Sequence, residues 1–86
     1  MNPYTIQYAR SARKELETLP GKIQDRIIAA IDALEDNPRP HGCKKLKGRV
    51  DEYRIRVGDY RVIYEIYDKT VTILIVRIRH RKDAYP

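Results

Sequence analysis

YRIRVGDYRVIYEI, residues 53–66, reads as two short strands joined by the dipeptide Gly58-Asp59. A two-residue loop places Val57 opposite Tyr60, Arg56 opposite Arg61 and Arg54 opposite Ile63. Tyr53, Ile55, Val57, Tyr60, Val62 and Tyr64 then alternate onto one face, the pattern of a half-buried hairpin. The other face carries Arg54, Arg56 and Arg61, with two guanidiniums directly opposed. Like charges at opposed positions destabilise a hairpin by up to about 1 kcal/mol. Such a pair makes sense on a face built to hold an anion.

On the C-terminal side, TVTILIVRIRHR (70–81) is rich in β-branched residues and predicts an interior strand. A three-residue turn at Asp68–Thr70 pairs Arg61 with Arg77. It also puts Arg77, Arg79 and Arg81 on the face of Arg54 and Arg56, whereas a two-residue turn flips that face. On the N-terminal side, PRPHGCKKLKGRVDE (38–52) is a turn-rich connection with a basic cluster, Lys44, Lys45, Lys47 and Arg49, and Leu46 begins a strand there. KIQDRIIAAIDALEDN (22–37) sets Ile23, Ile27, Ile31 and Leu34 on one helical stripe, stopped by Pro38. SARKELETL (11–19) is a shorter helix with Ser11 as N-cap and Pro20-Gly21 at its end. PYTIQYA (3–9) alternates as a first strand. The order β-α-α-β-β-β predicts an α+β fold: an antiparallel sheet with an N-terminal helical hairpin packed on one face.

A chain of 86 residues forms one domain, 1–86, and buries roughly 60–65% of its unfolded surface. The net charge of +6 suits an anionic partner, nucleic acid or an acidic protein. Cys43 is the single cysteine, which excludes an internal disulfide and a CxxC metal site and fits a reducing cytoplasm. No apolar run approaches the ~20 residues of a membrane-spanning helix, so no membrane association is expected.

The candidate site is the arginine face. Arginine presents a two-pronged donor to phosphate and stays protonated, so it holds and neutralises a phosphodiester without moving protons. The lysine-rich loop at 44–49 is a looser footprint for a nucleic-acid backbone. Tyr85 follows Arg81 by four residues; a near-terminal tyrosine ordinarily anchors the tail, but beside cations its phenol pKa should fall, suiting it to act as a base or to stack on a nucleobase. Unless the strand ends there, alternation points His80 away from Arg81, toward a structural or supporting role, with general acid as the alternative. His41, Cys43 and His80 lack metal-ligand spacing, so neither metal nor other cofactor is expected.

The segments KKLKG, YRIRVGDYRVIYEI and ILIVRIRHRKDAY together resemble the RelE branch of the RelE/ParE toxin superfamily. The resemblance implies the toxin of a type II toxin–antitoxin pair, a metal-independent, ribosome-dependent endoribonuclease that cleaves mRNA in the A site. In that chemistry the 2′-hydroxyl attacks the adjacent phosphate. By position, the resemblance implies that Arg61 holds the scissile phosphate and Arg81 stabilises the transition state or leaving group. It assigns stacking or activation of the nucleotide to Tyr85. Arg54 and Arg56 stand where the best-known members have lysines. Lys44, Lys45, Lys47, Arg49, Arg77 and Arg79 are then the RNA- and ribosome-binding cations. The implied partners are the ribosome, mRNA and an acidic RelB-like antitoxin. Competing readings are a ParE-like inhibitor of DNA gyrase and a non-catalytic nucleic-acid-binding module.

Overall fold

The hairpin forms in the register that its two-residue loop dictates. The computed structural model describes residues 3–46 and 51–84. Strand β3 (Glu52–Val57) pairs antiparallel with β4 (Tyr60–Tyr67), with Arg54 opposite Ile63, Arg56 opposite Arg61 and Val57 opposite Tyr60. Gly58 takes φ +60 while Asp59 stays at negative φ, the pattern of a type II′ turn. A Cβ at Gly58 would also stand 3.4 Å from the Arg26 guanidinium, which lies over the turn.

The sheet has five strands in the order β1-β5-β4-β3-β2. Strand β1 is Thr5–Tyr8, β2 is Lys44–Leu46 and β5 is Thr72–His80. Strands β2 to β5 make the expected antiparallel sheet, and β1 adds to its far edge parallel to β5. Helices α1 (Arg10–Glu17) and α2 (Gly21–Ala33) cover one face, and a short helix α3 (Arg81–Ala84) follows β5. Helix α2 buries Ile27 and Ile31 completely, with Leu34 at its C-cap, against Tyr64, Ile73 and Ile75. Full burial of each such aliphatic side chain is worth roughly 1.5–3 kcal/mol. Among the described residues no helix is long and apolar enough to cross a membrane.

Two departures from the sequence-based expectation concern β5. The connection from β4 is four residues, Asp68–Val71, because Tyr67 pairs with Thr72. One extra residue alone would turn the strand over. A β-bulge then adds a second: Tyr64 pairs with Ile75 but Ile63 pairs with Arg77, leaving Val76 over. The two shifts together restore the face, so Ile73 and Ile75 before the bulge and Ile78 after it all point into the core. Arg61 therefore lies opposite Arg79, not Arg77.

A further departure is at α1. Its N-cap is Ala9, without a side-chain cap, and Ser11 sits inside the helix with its hydroxyl donating to the Val76 carbonyl at 3.0 Å. Strand β1 covers β5 only as far as Ile75, whose carbonyl accepts the Ala9 N–H at 2.8 Å. Beyond that point α1 lies along the strand edge, and Glu15 Oε1 accepts the Ile78 N–H at 2.9 Å. Two helical side chains one turn apart thus satisfy backbone groups that β1 leaves open.

Asp68 ties three loops together. It accepts the Tyr4 hydroxyl at 2.6 Å and Arg39 Nη2 at 2.8 Å, while Arg39 Nε donates to the Tyr53 hydroxyl at 3.1 Å. The Arg39 guanidinium, then the Tyr4 hydroxyl, hold the Asp68 carboxyl below its ordinary pKa. A depressed carboxylate stabilises the fold above its unfolded pKa of about 3.9, and that stabilisation is lost as pH falls through the lower folded value. Thermal melts should therefore show a steeper fall below about pH 4 in the parent than in Asp68→Asn.

Val71, which closes the β4–β5 connection, has φ 51, a left-handed conformation costly for a β-branched residue. Its carbonyl accepts the Thr5 N–H at 2.9 Å and so starts the β1 ladder. Val71→Asn, a residue that tolerates this region, should raise the unfolding free energy by about 1 kcal/mol in urea titrations.

Candidate active site

Outward-facing residues of adjacent strands stand in rows about 4.8 Å apart. One row is Arg56–Arg61–Arg79, and the next is Lys44–Arg54–Ile63–Arg77. Both lie on the face away from α1 and α2, nearest the Gly58-Asp59 turn. Arg61 on the central strand is buried, only 8% exposed, between the exposed Arg56 and the half-buried Arg79. A guanidinium in that position has little water around it and strong fields from its neighbours, so an anion placed there is held more tightly than on an open surface.

The structure separates the remaining expected cations. Lys44 shares the face of Arg54, whereas Lys45 pairs with Tyr53 on the opposite face and makes a 3.3 Å ion pair with Asp51. Arg77 and Arg79 both pair with Glu15 Oε2, at 3.3 and 3.1 Å. That carboxylate offsets part of the charge that the row presents. Arg81 leaves the sheet as the first residue of α3, exposed, with its N–H donating to the Asp59 carbonyl at 2.7 Å. Arg81 thus starts at the same end of the sheet as the Arg56–Arg61–Arg79 row. Lys47, Arg49 and Tyr85 lie outside the described residues.

His80 is on the helix-side face, edge-on to Tyr60 with ring centroids 5.1 Å apart. Both line a cavity of about 560 Å³ with Glu15, Thr18 and Lys82. Among the described residues no three His, Cys, Asp or Glu side chains group as metal ligands. The arrangement is equipped to bind and neutralise phosphate.

The sequence profile of the ParE toxin of type II toxin–antitoxin systems matches residues 6–85. The chain belongs to this toxin family. It is similar to the toxin RelG of Mycobacterium tuberculosis, 32% identical over 84 residues that cover 96% of this chain and 97% of that protein. It is likewise similar to the toxin RelE3 of Methanocaldococcus jannaschii, 36% identical with 93% of each chain covered. The crystal structure of the archaeal RelE–RelB complex from Pyrococcus horikoshii matches with TM-score 0.83 and 34% identity, covering 92% of this chain and 96% of that one. These RelE-named relatives place the toxin on the RelE side of the superfamily.

Within the toxin, Glu15 is the residue beside the candidate site that the sequence conceals. If the arginine face were an ordinary solvated sheet face, the sequence offers Glu52, Glu65, Asp68 and Asp83 as partners for its guanidiniums. The acid that pairs with Arg77 and Arg79 comes instead from α1, and Asp68 is taken by Arg39. The only local sign of this is that Ser11 and Glu15 share a helix face. Glu15→Gln keeps an acceptor for the Ile78 N–H but removes the charge. It should leave the melting temperature within a few degrees, since such ion pairs contribute about 0–1 kcal/mol. The salt dependence of single-stranded RNA binding should steepen by roughly 0.7 per arginine newly engaged with phosphate.

Proposed function

We propose that the toxin is a metal-independent, ribosome-dependent endoribonuclease that cleaves mRNA in the A site. The observation that carries this reading is the buried Arg61 between Arg56 and Arg79, at the end of the sheet where Arg81 begins. Non-titrating cations suit a substrate that supplies its own nucleophile, and the RNA 2′-hydroxyl is one. In the step proposed, the 2′-hydroxyl loses its proton, the O2′–P bond forms and the P–O5′ bond breaks. The 5′-oxygen takes up a proton. The products are a 2′,3′-cyclic phosphate and a 5′-hydroxyl.

In this scheme Arg61 holds the non-bridging oxygens and stabilises the charge that develops on them, while Arg56 and Arg54 neutralise the flanking backbone. Arg81 stabilises the leaving oxygen. Tyr85 is assigned the nucleotide, by stacking or as proton acceptor. Arginine at 54 and 56 keeps both positions charged, so proton transfer falls to Tyr85 or to groups of the ribosome. The antitoxin partner is a RelB-like protein, RelB being the partner in the complex of the similar archaeal structure, and the net charge of +6 calls for an acidic one. The site of action is the cytoplasm, where translated mRNA is found.

A gyrase-inhibiting function is the second reading, favoured by the match to the ParE profile over residues 6–85. Primer extension after induction separates the two. Cuts confined to translated messages, with 5′-hydroxyl ends that accept phosphate from polynucleotide kinase, are the expected result. Intact mRNA with DNA damage would establish the gyrase reading instead, and cuts of equal efficiency on free RNA would remove the ribosome from the scheme.

On programmed ribosomes, Arg61→Ala and Arg81→Ala should each lower the single-turnover rate by about 10²–10³-fold, as expected for loss of a donor to developing charge. Stability should separate the opposed arginines. Arg56→Thr relieves repulsion at an exposed position and should stabilise the free toxin by a few tenths of a kcal/mol. Arg61→Ala removes a buried side chain and should destabilise it by about 1 kcal/mol. An Arg61→Ala toxin that cleaves at the parental rate would make Arg61 a packing residue only.

A further inference from the structure

Strand β5 ends at His80, and the chain turns at once into α3. Two backbone contacts fix that turn. The Arg81 N–H donates to the Asp59 carbonyl at 2.7 Å, and the Lys82 N–H donates to His80 Nδ1 at 3.2 Å. The second is an N-cap contact, since a helix leaves its first N–H groups without intrahelical acceptors and a preceding side chain can supply one. Accepting it requires a lone pair on Nδ1, so the imidazole proton is on Nε2. The ring is held in turn by the edge contact with Tyr60, its cross-strand partner and the residue that follows the Gly58-Asp59 turn.

We infer that His80 is a positioning residue: it caps α3 and thereby sets where the Arg81 guanidinium stands relative to the Arg56–Arg61–Arg79 row. The inference rests on the reading of Arg81 as a group that acts on the phosphate. It gives His80 no part in proton transfer, because Nδ1 is taken by the cap and the ring lies on the helix-side face of the sheet. It also links the Asp59 turn to the reaction. The hairpin that presents Arg56 and Arg61 is the element on which the Arg81 backbone rests.

The test compares His80→Ala with His80→Asn. Asparagine is a favoured N-cap whose side-chain oxygen can take the place of Nδ1, but it does not exchange protons as imidazole does. Single-turnover cleavage on programmed ribosomes with saturating toxin should fall by about 10- to 100-fold in His80→Ala, the scale of an ångström of misplacement. The half-saturating toxin concentration should be unchanged. His80→Asn should recover most of the rate, and adding His80→Ala to Arg81→Ala should cause no further loss. His80→Asn as slow as His80→Ala would overturn the inference in favour of imidazole acid–base chemistry. Further loss in the double variant would show that His80 acts independently of Arg81, overturning it equally.

A second readout needs no cleavage. Amide exchange at Lys82 should be protected in the parent and in His80→Asn and fast in His80→Ala. Fast exchange in the parent would overturn the cap itself. A parent that caps α3 but cuts no RNA would end the nuclease reading, and the positioning of Arg81 for cleavage with it, while leaving the N-cap standing as a structural contact. Should His80→Ala fail to fold, His80→Leu removes the same acceptor with a larger apolar side chain against Tyr60.

Discussion

The edge of β5 beyond Ile75 is where the fold and the site depend on one set of contacts. Strand β1 stops there, and a strand edge with open N–H and C=O groups is unstable in a packed position and prone to wrong pairing. Helix α1 completes it: Ser11 donates to the carbonyl of the bulged Val76, and Glu15 accepts from the Ile78 N–H. The same Glu15 carboxylate binds Arg77 and Arg79 through its other oxygen. The contact that seats the helix on the sheet is therefore also the one that sets the charge and orientation of the outer arginines.

From that edge inward, the site is a matter of electrostatics held in register. Five neighbouring positions on two rows carry arginine, and opposed guanidiniums repel in the free protein. Packing overcomes the repulsion, because the inward-facing partners of the same strands, Val62, Tyr64, Ile75 and Ile78, are buried in the core. Stability comes from one face of the sheet and charge accumulates on the other. A phosphate bound there as proposed would replace that repulsion by attraction. On the proposed reading, the arginine rows are arranged for an anion at the cost of some stability in its absence.

Glu15 works against that arrangement in part. It offsets charge on Arg77 and Arg79, while Arg56 and Arg61 lie next to the turn on which Arg81 rests. The connection Asp68–Val71 reflects the same economy of parts. Its strained Val71 both sets the length of the β4–β5 link and starts the β1 ladder, while Asp68 gathers Tyr4 and Arg39.

By itself the sequence determined what is local. A two-residue loop with glycine first fixes its own strand pairing, so the opposition of Arg56 and Arg61 followed from Gly58-Asp59 alone. The stripe of Ile23, Ile27, Ile31 and Leu34 followed from helical periodicity, and the toxin family from the motifs that flank the arginines. Only the tertiary structure decided what depends on distant parts of the chain. The pairing of Arg61 with Arg79 required a four-residue link and a bulge whose shifts cancel in face but add in register, and that outcome is selected by burying Ile73, Ile75 and Ile78 together. The burial of Arg61, the parallel placement of β1, and the capture of Arg77 and Arg79 by a helical glutamate all arise between segments far apart in the chain. Contacts of that kind leave no periodic trace, because their energy depends on which surfaces meet and not on the spacing of residues within either one.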